Sequence, residues 1–181
     1  ISVKTRIGLE EPEEFSRLLT LFNRFPLVEL IVHPRLRKDF YTGKPDLEAF
    51  ALAVRESKSP LCYNGDLFSK EMVRQFTEQF PSVDRLMLGR GLAADPALGE
   101  KYRGGPPAEK ERLLAFHAAL LEENLRELGP RNTLARMKEL WGLQLQLFEG
   151  GTRFAKSLRK ANALPEYEAV VAELFRSCPV R

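Results

Sequence analysis

Lys4 and Arg6 stand two residues apart in Ser2-Val3-Lys4-Thr5-Arg6-Ile7. On a β-strand they project from one face, while Val3, Thr5 and Ile7 project from the other. If the apolar set packs under a helix, two cations are left on the opposite face of a buried strand. Unpaired buried charge is costly, so an anionic or polar partner is expected there, and a bound ligand is the simplest one. Three more polar groups follow where later strands are expected to end: His33-Pro34-Arg35, Asn64-Gly65-Asp66 and Gly89-Arg90-Gly91. Glycines in the last two let backbone N–H groups approach an anion closely, and Arg90 can add a charge-assisted bond. That chemistry suits a phosphorylated ligand. Taken singly, each group has a plainer reading: Asn-Gly-Asp is ordinary turn chemistry, and a lone histidine is usually a hydrogen-bonded structural residue. Their recurrence at corresponding places in successive units favours a shared ligand site.

The elements that must position these residues alternate strand and helix. Residues 1–7 read as a strand, and Glu10-Glu11-Pro12-Glu13-Glu14 opens a helix through Phe25, with acidic residues at the positive end of its dipole. Leu27–Val32 is a nearly continuous apolar run ending at His33, as expected of a strand covered on both faces. Pro45 or Asp46 starts a helix through Ser57, Pro60–Tyr63 is a third strand, and Ser69 caps a helix whose stripe is Met72, Val73 and Phe76. Arg85–Leu88 is the fourth strand. Four consecutive βα units predict parallel strands with right-handed crossovers. The absence of a Gly-rich loop after the first strand favours a (β/α)8 barrel over a dinucleotide-binding unit. Four units are half of such a barrel, and alone they leave two strand edges open. The predicted architecture is therefore α/β: the second half of a (β/α)8 TIM-type barrel over residues 1–101, then a small all-helical bundle domain.

Tyr102–Pro107, with Gly104-Gly105-Pro106-Pro107, is the expected linker (102–107), and residues 108–181 are expected to form the bundle. Helices are predicted over Ala108–Leu128, ended by Gly129-Pro130, and over Thr133–Phe148, Arg153–Asn162 and Pro165–Arg176. Between Arg131 and Lys160 lie seven cations (Arg131, Arg136, Lys138, Arg153, Lys156, Arg159, Lys160) and two anions (Glu139, Glu149). That local excess of five exceeds the +3 of the whole 181-residue chain. Arg153, Lys156 and Lys160 are spaced to share a helix face. A solvated surface is the plain reading of such a stretch; a polyanion held beside the ligand site is the functional one.

Composition sets outer bounds. A 44% apolar content supports a real core, and 28 cations against 25 anions neither require nor exclude nucleic acid. Two cysteines, Cys62 and Cys178, make a disulfide framework improbable and fit a reducing, cytoplasmic setting. No apolar run is long enough to span a membrane, and no secretory signal opens the chain. Ile1 lies directly inside a strand pattern, which reads as the interior of a longer protein.

The ordered set Val3-Lys4-Thr5-Arg6-Ile7-Gly8, Val32-His33-Pro34-Arg35, Tyr63-Asn64-Gly65-Asp66 and Met87-Leu88-Gly89-Arg90-Gly91-Leu92 resembles the tRNA-dihydrouridine synthases, flavin enzymes of the TIM-barrel class. Trp141 and Ser157-Leu158-Arg159-Lys160 are similar to that family's C-terminal helical domain. The resemblance implies FMN as cofactor, NADPH as reductant, tRNA as substrate, and hydride delivery to uracil C6. It implies a protein that is monomeric when intact, with no membrane partner. By position, Lys4 and His33 would contact flavin or target uracil as the catalytic pair, and Arg6 and Arg35 would recognise the uracil or a nearby phosphate. Asn64, Gly65, Asp66, Gly89 and Arg90 would cradle the ribityl-phosphate, and no metal is implied. The family's general-acid cysteine sits in an Asn-x-Gly-Cys-Pro context that neither Cys62 nor Cys178 matches. With that half of the barrel absent, this chain alone is expected to be inactive. Two alternatives stand beside this reading: another FMN-binding TIM-barrel oxidoreductase, and a non-catalytic RNA-binding module.

Overall fold

A computed structural model describes residues 1–181. It has an α/β arrangement with one parallel sheet and many helices, divided into two compact units, Ile1–Gly89 and Arg90–Arg181. The first unit runs β1 (Ser2–Gly8), α1 (Glu14–Phe22), β2 (Glu29–Leu36), α2 (Leu47–Glu56), β3 (Leu61–Tyr63), α3 (Lys70–Gln79) and β4 (Arg85–Leu86). All neighbouring strands are parallel and lie in chain order, β1-β2-β3-β4. This is the outcome that four successive βα units require.

Local chemistry sets the helix starts. The Asp46 carboxylate accepts from the Ala49 N–H at 2.9 Å, and the Ser69 hydroxyl from the Met72 N–H at 3.2 Å, so α2 and α3 begin where their caps predict. Before α1 the Glu14 carboxylate gathers the N–H groups of Leu9, Glu10 and Glu11, which lowers its pKa. One sheet face packs under the helices: Ile7, Leu30, Val32 and Tyr63 meet Phe15 and Leu19 of α1, Phe50 of α2, and Val73 and Phe76 of α3. An aromatic cluster anchors that layer, with Tyr63 stacked on Phe76 at 3.9 Å and edge-on to Phe50 at 4.9 Å.

Several boundaries differ from expectation. β2 does not stop at His33 but continues to Leu36, because β1 keeps pairing with it: Arg6 lies opposite His33 and Gly8 opposite Leu36. That slip puts one extra residue into β2, a bulge that accommodates Pro34. His33-Pro34-Arg35 therefore lies within the strand, not at its tip. β4 spans two residues rather than four, and α1 ends at Phe22 rather than Phe25. Met72 is 37% exposed, so only Val73 and Phe76 of its predicted stripe are core.

The second unit contains α4 (Arg90–Ala94), α5 (Leu98–Tyr102), α6 (Lys110–Gln144), α7 (Ala155–Lys160) and α8 (Leu164–Ser177), with 3₁₀ turns at Leu145–Leu147 and Gly151–Phe154. The expected linker at 102–107 falls within this unit, between α5 and α6. The run Lys110–Gln144 is two helices meeting at a kink: Gly129 is non-helical at φ 72° and ψ 168° and Pro130 follows it, so the predicted stop is present. The core gathers Leu121, Met137, Trp141, Leu158, Tyr167 and Leu174. At its centre the Trp141 indole donates to the Tyr167 hydroxyl at 2.6 Å, and Tyr167 lies 2.7 Å from His117 Nε2. Trp can only donate and burial keeps His117 neutral, so the phenol proton goes to His117. No helix is long and apolar enough to cross a membrane.

Gly65 is needed for close packing. A Cβ there would lie 2.1 Å from the Tyr63 phenol oxygen and 2.3 Å from its Cζ, and the Phe76 stack prevents the ring from yielding. Gly65→Ala is expected to cost about 2–3 kcal/mol of stability in urea unfolding, whereas Tyr63→Phe, which removes an unpartnered hydroxyl, should change it by less than about 1 kcal/mol.

Candidate functional site

Residues paired across parallel strands share a sheet face. Lys4 pairs with Ile31, Ile31 with Cys62, and Cys62 with Arg85; one step further along, Arg6 pairs with His33. The cation-bearing face predicted from Lys4 and Arg6 is therefore real, and it lies opposite the helix-packed face. β1 ends the sheet with β2 as its only partner, so Lys4 is exposed rather than buried. The expected burial of that charge is thereby corrected. Partial desolvation and the Arg6 guanidinium still hold the Lys4 ammonium below its ordinary pKa.

Arg6 donates to the Leu36 carbonyl at 2.6 Å and to the Phe40 carbonyl at 2.7 Å, and lies over the Tyr41 ring at 5.6 Å. His33 is 6% exposed, with its ring stacked 6.2 Å from Tyr41. Burial, followed by the charges of Arg6, Lys4 and Arg35, pushes its pKa down to about 4, so it is neutral at ordinary pH. Arg35 Nη1 approaches His33 Nε2 at 3.4 Å. A guanidinium only donates, so Nε2 accepts and the ring proton sits on Nδ1.

Arg35 is 1% exposed, and its five donors meet five acceptors. Nε reaches the Thr42 carbonyl at 3.2 Å; Nη1 reaches Asp66 Oδ1 at 3.1 Å as well as His33; Nη2 reaches the Gly43 carbonyl at 2.7 Å and Asp66 Oδ2 at 2.5 Å. Every Arg35 donor is thus engaged within the chain, whereas the resemblance assigns it to uracil or a nearby phosphate. Asn64 donates from Nδ2 to the Met87 carbonyl at 2.8 Å, which clips β3 to the segment after β4 and leaves its side-chain oxygen as an acceptor. The free side of Gly65 is filled by Tyr63, so its Cα face is closed to a ligand. Gly89 differs: a Cβ there meets nothing within 4 Å and its φ is not left-handed, so its backbone is open to approach. Gly89 is the last residue of the first unit, and Arg90 is the first of the second, where it begins α4.

Phe40 and Tyr41 join the site without a motif in the sequence that marks them. They lie in the loop after β2, 71% and 58% exposed, and Phe40 has a left-handed φ of 50°. That conformation is uncommon for a bulky residue and accompanies the Arg6 bond to its carbonyl. Two adjacent aromatics within Lys38–Lys44 were the available signal. Cys62 is buried and its thiol is pushed up to about 11, chiefly by desolvation, so it stays protonated.

In the second unit the basic stretch divides. Lys156 and Lys160 share a face of α7, but Arg153 lies in the preceding 3₁₀ turn, where it donates to Ser177 Oγ at 3.0 Å and covers the Phe154 ring. A cleft of about 550 Å³ there has Lys138, Arg153, Lys156 and Arg159 on its walls and Trp141 and Leu158 beneath.

A parallel βα sheet with a cationic face, followed in the chain by a helical unit with a basic cleft, defines an α/β protein with two cation-rich surfaces. Residues 1–172 match the family model for dihydrouridine synthase (Dus), and the chain belongs to that family. It is 26% identical over 183 residues to probable tRNA-dihydrouridine synthase 2 of Bacillus subtilis, covering 97% of this chain and 55% of that protein. It is 33% identical over 102 residues to tRNA-dihydrouridine synthase B of Pseudomonas aeruginosa, covering 51% and 30%. The Pseudomonas putida protein of the same name is 30% identical over 156 residues, covering 80% and 44%. The chain thus spans about half or less of the length of these curated relatives.

The electrostatics of the two buried histidines and of Arg35 can be tested directly. Both histidines, His33 and His117, are neutral in the fold with pKa values of about 4, below the ordinary 6.5. Between those pH values the unfolded chain binds more protons, so stability should fall as pH drops from 6.5 towards 4. NMR titration of the ring protons should give midpoints near 4. Arg35→Lys supplies three donors in place of five and should lower stability by about 2 kcal/mol in urea unfolding.

Proposed function

We propose that this chain is the C-terminal portion of a tRNA-dihydrouridine synthase, an FMN-dependent enzyme that reduces the C5–C6 double bond of a uridine in tRNA at the expense of NADPH. In this reading the βα unit Ile1–Gly89 belongs to the second half of a (β/α)8 barrel, and the helical unit Arg90–Arg181 helps hold tRNA. The observation that carries it is the row of Lys4, Arg6 and neutral His33 on one face of a parallel sheet, in a chain of this family.

The residues present fit an anionic flavin. Lys4 is an exposed cation on that face, His33 carries its proton on Nδ1, Asn64 keeps a free acceptor, and the Gly89 backbone is open. FMN, when bound and reduced, supplies the hydride for uracil C6. Lys4 Nζ donates to a ring oxygen or nitrogen of flavin or uracil. His33 contributes a neutral donor that does not add a fourth positive charge to its surroundings. Arg6, held by two carbonyls and backed by Tyr41, directs its remaining N–H groups at a uracil oxygen or a nearby phosphate. Gly89 and Arg90 would contact the phosphate, and Asn64 the ribityl chain. Asp66 and Gly65 support these groups from behind through Arg35 and Tyr63. The proton for C5 comes from a cysteine outside this chain.

The target base must leave its stack to reach such a site, and a cationic cleft that grips the RNA backbone assists this. A small-substrate FMN oxidoreductase has no use for the basic cleft at Lys138 and Lys156, which favours tRNA. In the intact protein, Lys4→Ala should lower dihydrouridine formation on tRNA roughly a hundredfold with flavin absorbance retained. Near-normal turnover would remove Lys4 from the catalytic set, and absence of flavin from the unmodified protein would overturn the FMN reading.

A further inference from the structure

On the helix side of the sheet, away from Lys4 and His33, a cavity of about 320 Å³ opens between α2 and α3. We propose that it is a second ligand site, which takes a flat aromatic ring bearing an anionic group. The inference does not rest on the flavin reading, because the cavity lies behind the opposite sheet face.

The volume falls at the lower end of the range typical of small-molecule sites. Its walls are apolar: Leu47 from α2, Met72 and Phe76 from α3, and Leu67 from the loop after β3. Met72 occupies a core-type position on its helix yet is 37% exposed, because it forms a wall of this cavity rather than filling it. A flexible, polarisable thioether suits closure over a ring.

Tyr63 supplies the polar anchor. Its side chain lines the cavity at 2% exposure, and its hydroxyl has no hydrogen-bond partner in the chain. A phenylalanine would make the same stack with Phe76 and the same edge contact with Phe50, so packing does not call for the hydroxyl. The hydroxyl is not among the sealed, unpartnered polar atoms of the fold, so it is reached from the cavity and can bond to what enters, water or a ligand. The oxygen cannot swing aside, since Gly65 and the Phe76 stack fix it.

The charge at the mouth selects for anions. Lys44 is exposed, lines the cavity and forms no ion pair. The only carboxylate on the lining is Asp66, already engaged by both Nη groups of Arg35. Gln79 on the α3 edge adds an amide that can donate and accept. A ring against Leu47, Met72 and Phe76, a polar edge at Tyr63 and an acidic group at Lys44 describe either an aromatic carboxylate or a nucleoside monophosphate.

The test titrates the intact protein with 4-hydroxybenzoate and with uridine 5′-monophosphate, following backbone amide NMR shifts in Met72–Gln79. Saturable shifts with at least one probe are expected; the carboxylate alone or the nucleotide alone would identify the source. Tyr63→Phe should weaken binding about fivefold, Lys44→Ala should weaken it and reduce its salt dependence, and Gln79→Trp should abolish it. Lys4→Ala should leave it unchanged, which separates this site from the opposite face. No saturable shift at roughly millimolar probe, or equal affinity in the folded Tyr63→Phe protein, would overturn the proposal.

Discussion

A single guanidinium, that of Arg35, is placed almost wholly out of solvent, and its five N–H groups must all be answered. They are answered by three separate pieces of chain: the Asp66 carboxylate after β3, the Thr42 and Gly43 carbonyls after β2, and the ring of His33. Each bond fixes a neighbouring group. The carbonyl contacts hold down the loop that brings Tyr41 over His33, and the contact with Nε2 assigns the histidine tautomer. The carboxylate contact joins the tips of β2 and β3. A lysine could not replace this arrangement, since an ammonium lacks the planar fork that spans a carboxylate and two carbonyls together.

Around that centre the two sheet faces follow opposite rules. The helix side is stabilised by burial of aromatic and branched residues, with Phe50, Tyr63 and Phe76 in mutual contact. The other side accumulates positive charge from Lys4, Arg6 and Arg35, and one consequence is that His33 stays neutral. Cationic fields of this kind raise the local concentration of anions and favour phosphate-bearing ligands. The helical unit repeats the pairing of a dry interior with a charged exterior: Trp141, Tyr167 and His117 satisfy one another inside, while Lys138, Lys156 and Arg159 edge a cleft outside.

Alternation within Val3–Ile7 was enough to separate the two faces of β1, because side-chain direction in a strand follows from backbone geometry alone. Asp46 and Ser69 announced their helices for a similar reason: a cap is a local hydrogen bond between residues three apart. The basic composition of residues 131–160 was also legible, but its division between a 3₁₀ turn and α7 was not, since turn type depends on what the glycines at 150 and 151 pack against. Arg35 is the clearest case of a residue whose type is legible in the sequence and whose partners are not. A strand arginine beside a histidine has the same sequence signature whether it points at a ligand or at a carboxylate thirty-one positions later.

The amino-acid order thus determined the strand–helix alternation, the parallel sheet it compels, the cation-bearing face and the helix caps, all of which arise from periodicity and short-range bonding. Tertiary structure decided that β2 runs on through a bulge, that Arg35 is consumed by Asp66, that Lys4 lies open at the end of the sheet, and that Tyr63 lines a cavity beside α3. Those outcomes depend on which distant groups meet once the layers close. A buried donor takes the nearest acceptor that the completed fold supplies, and distance along the chain does not say which acceptor that will be.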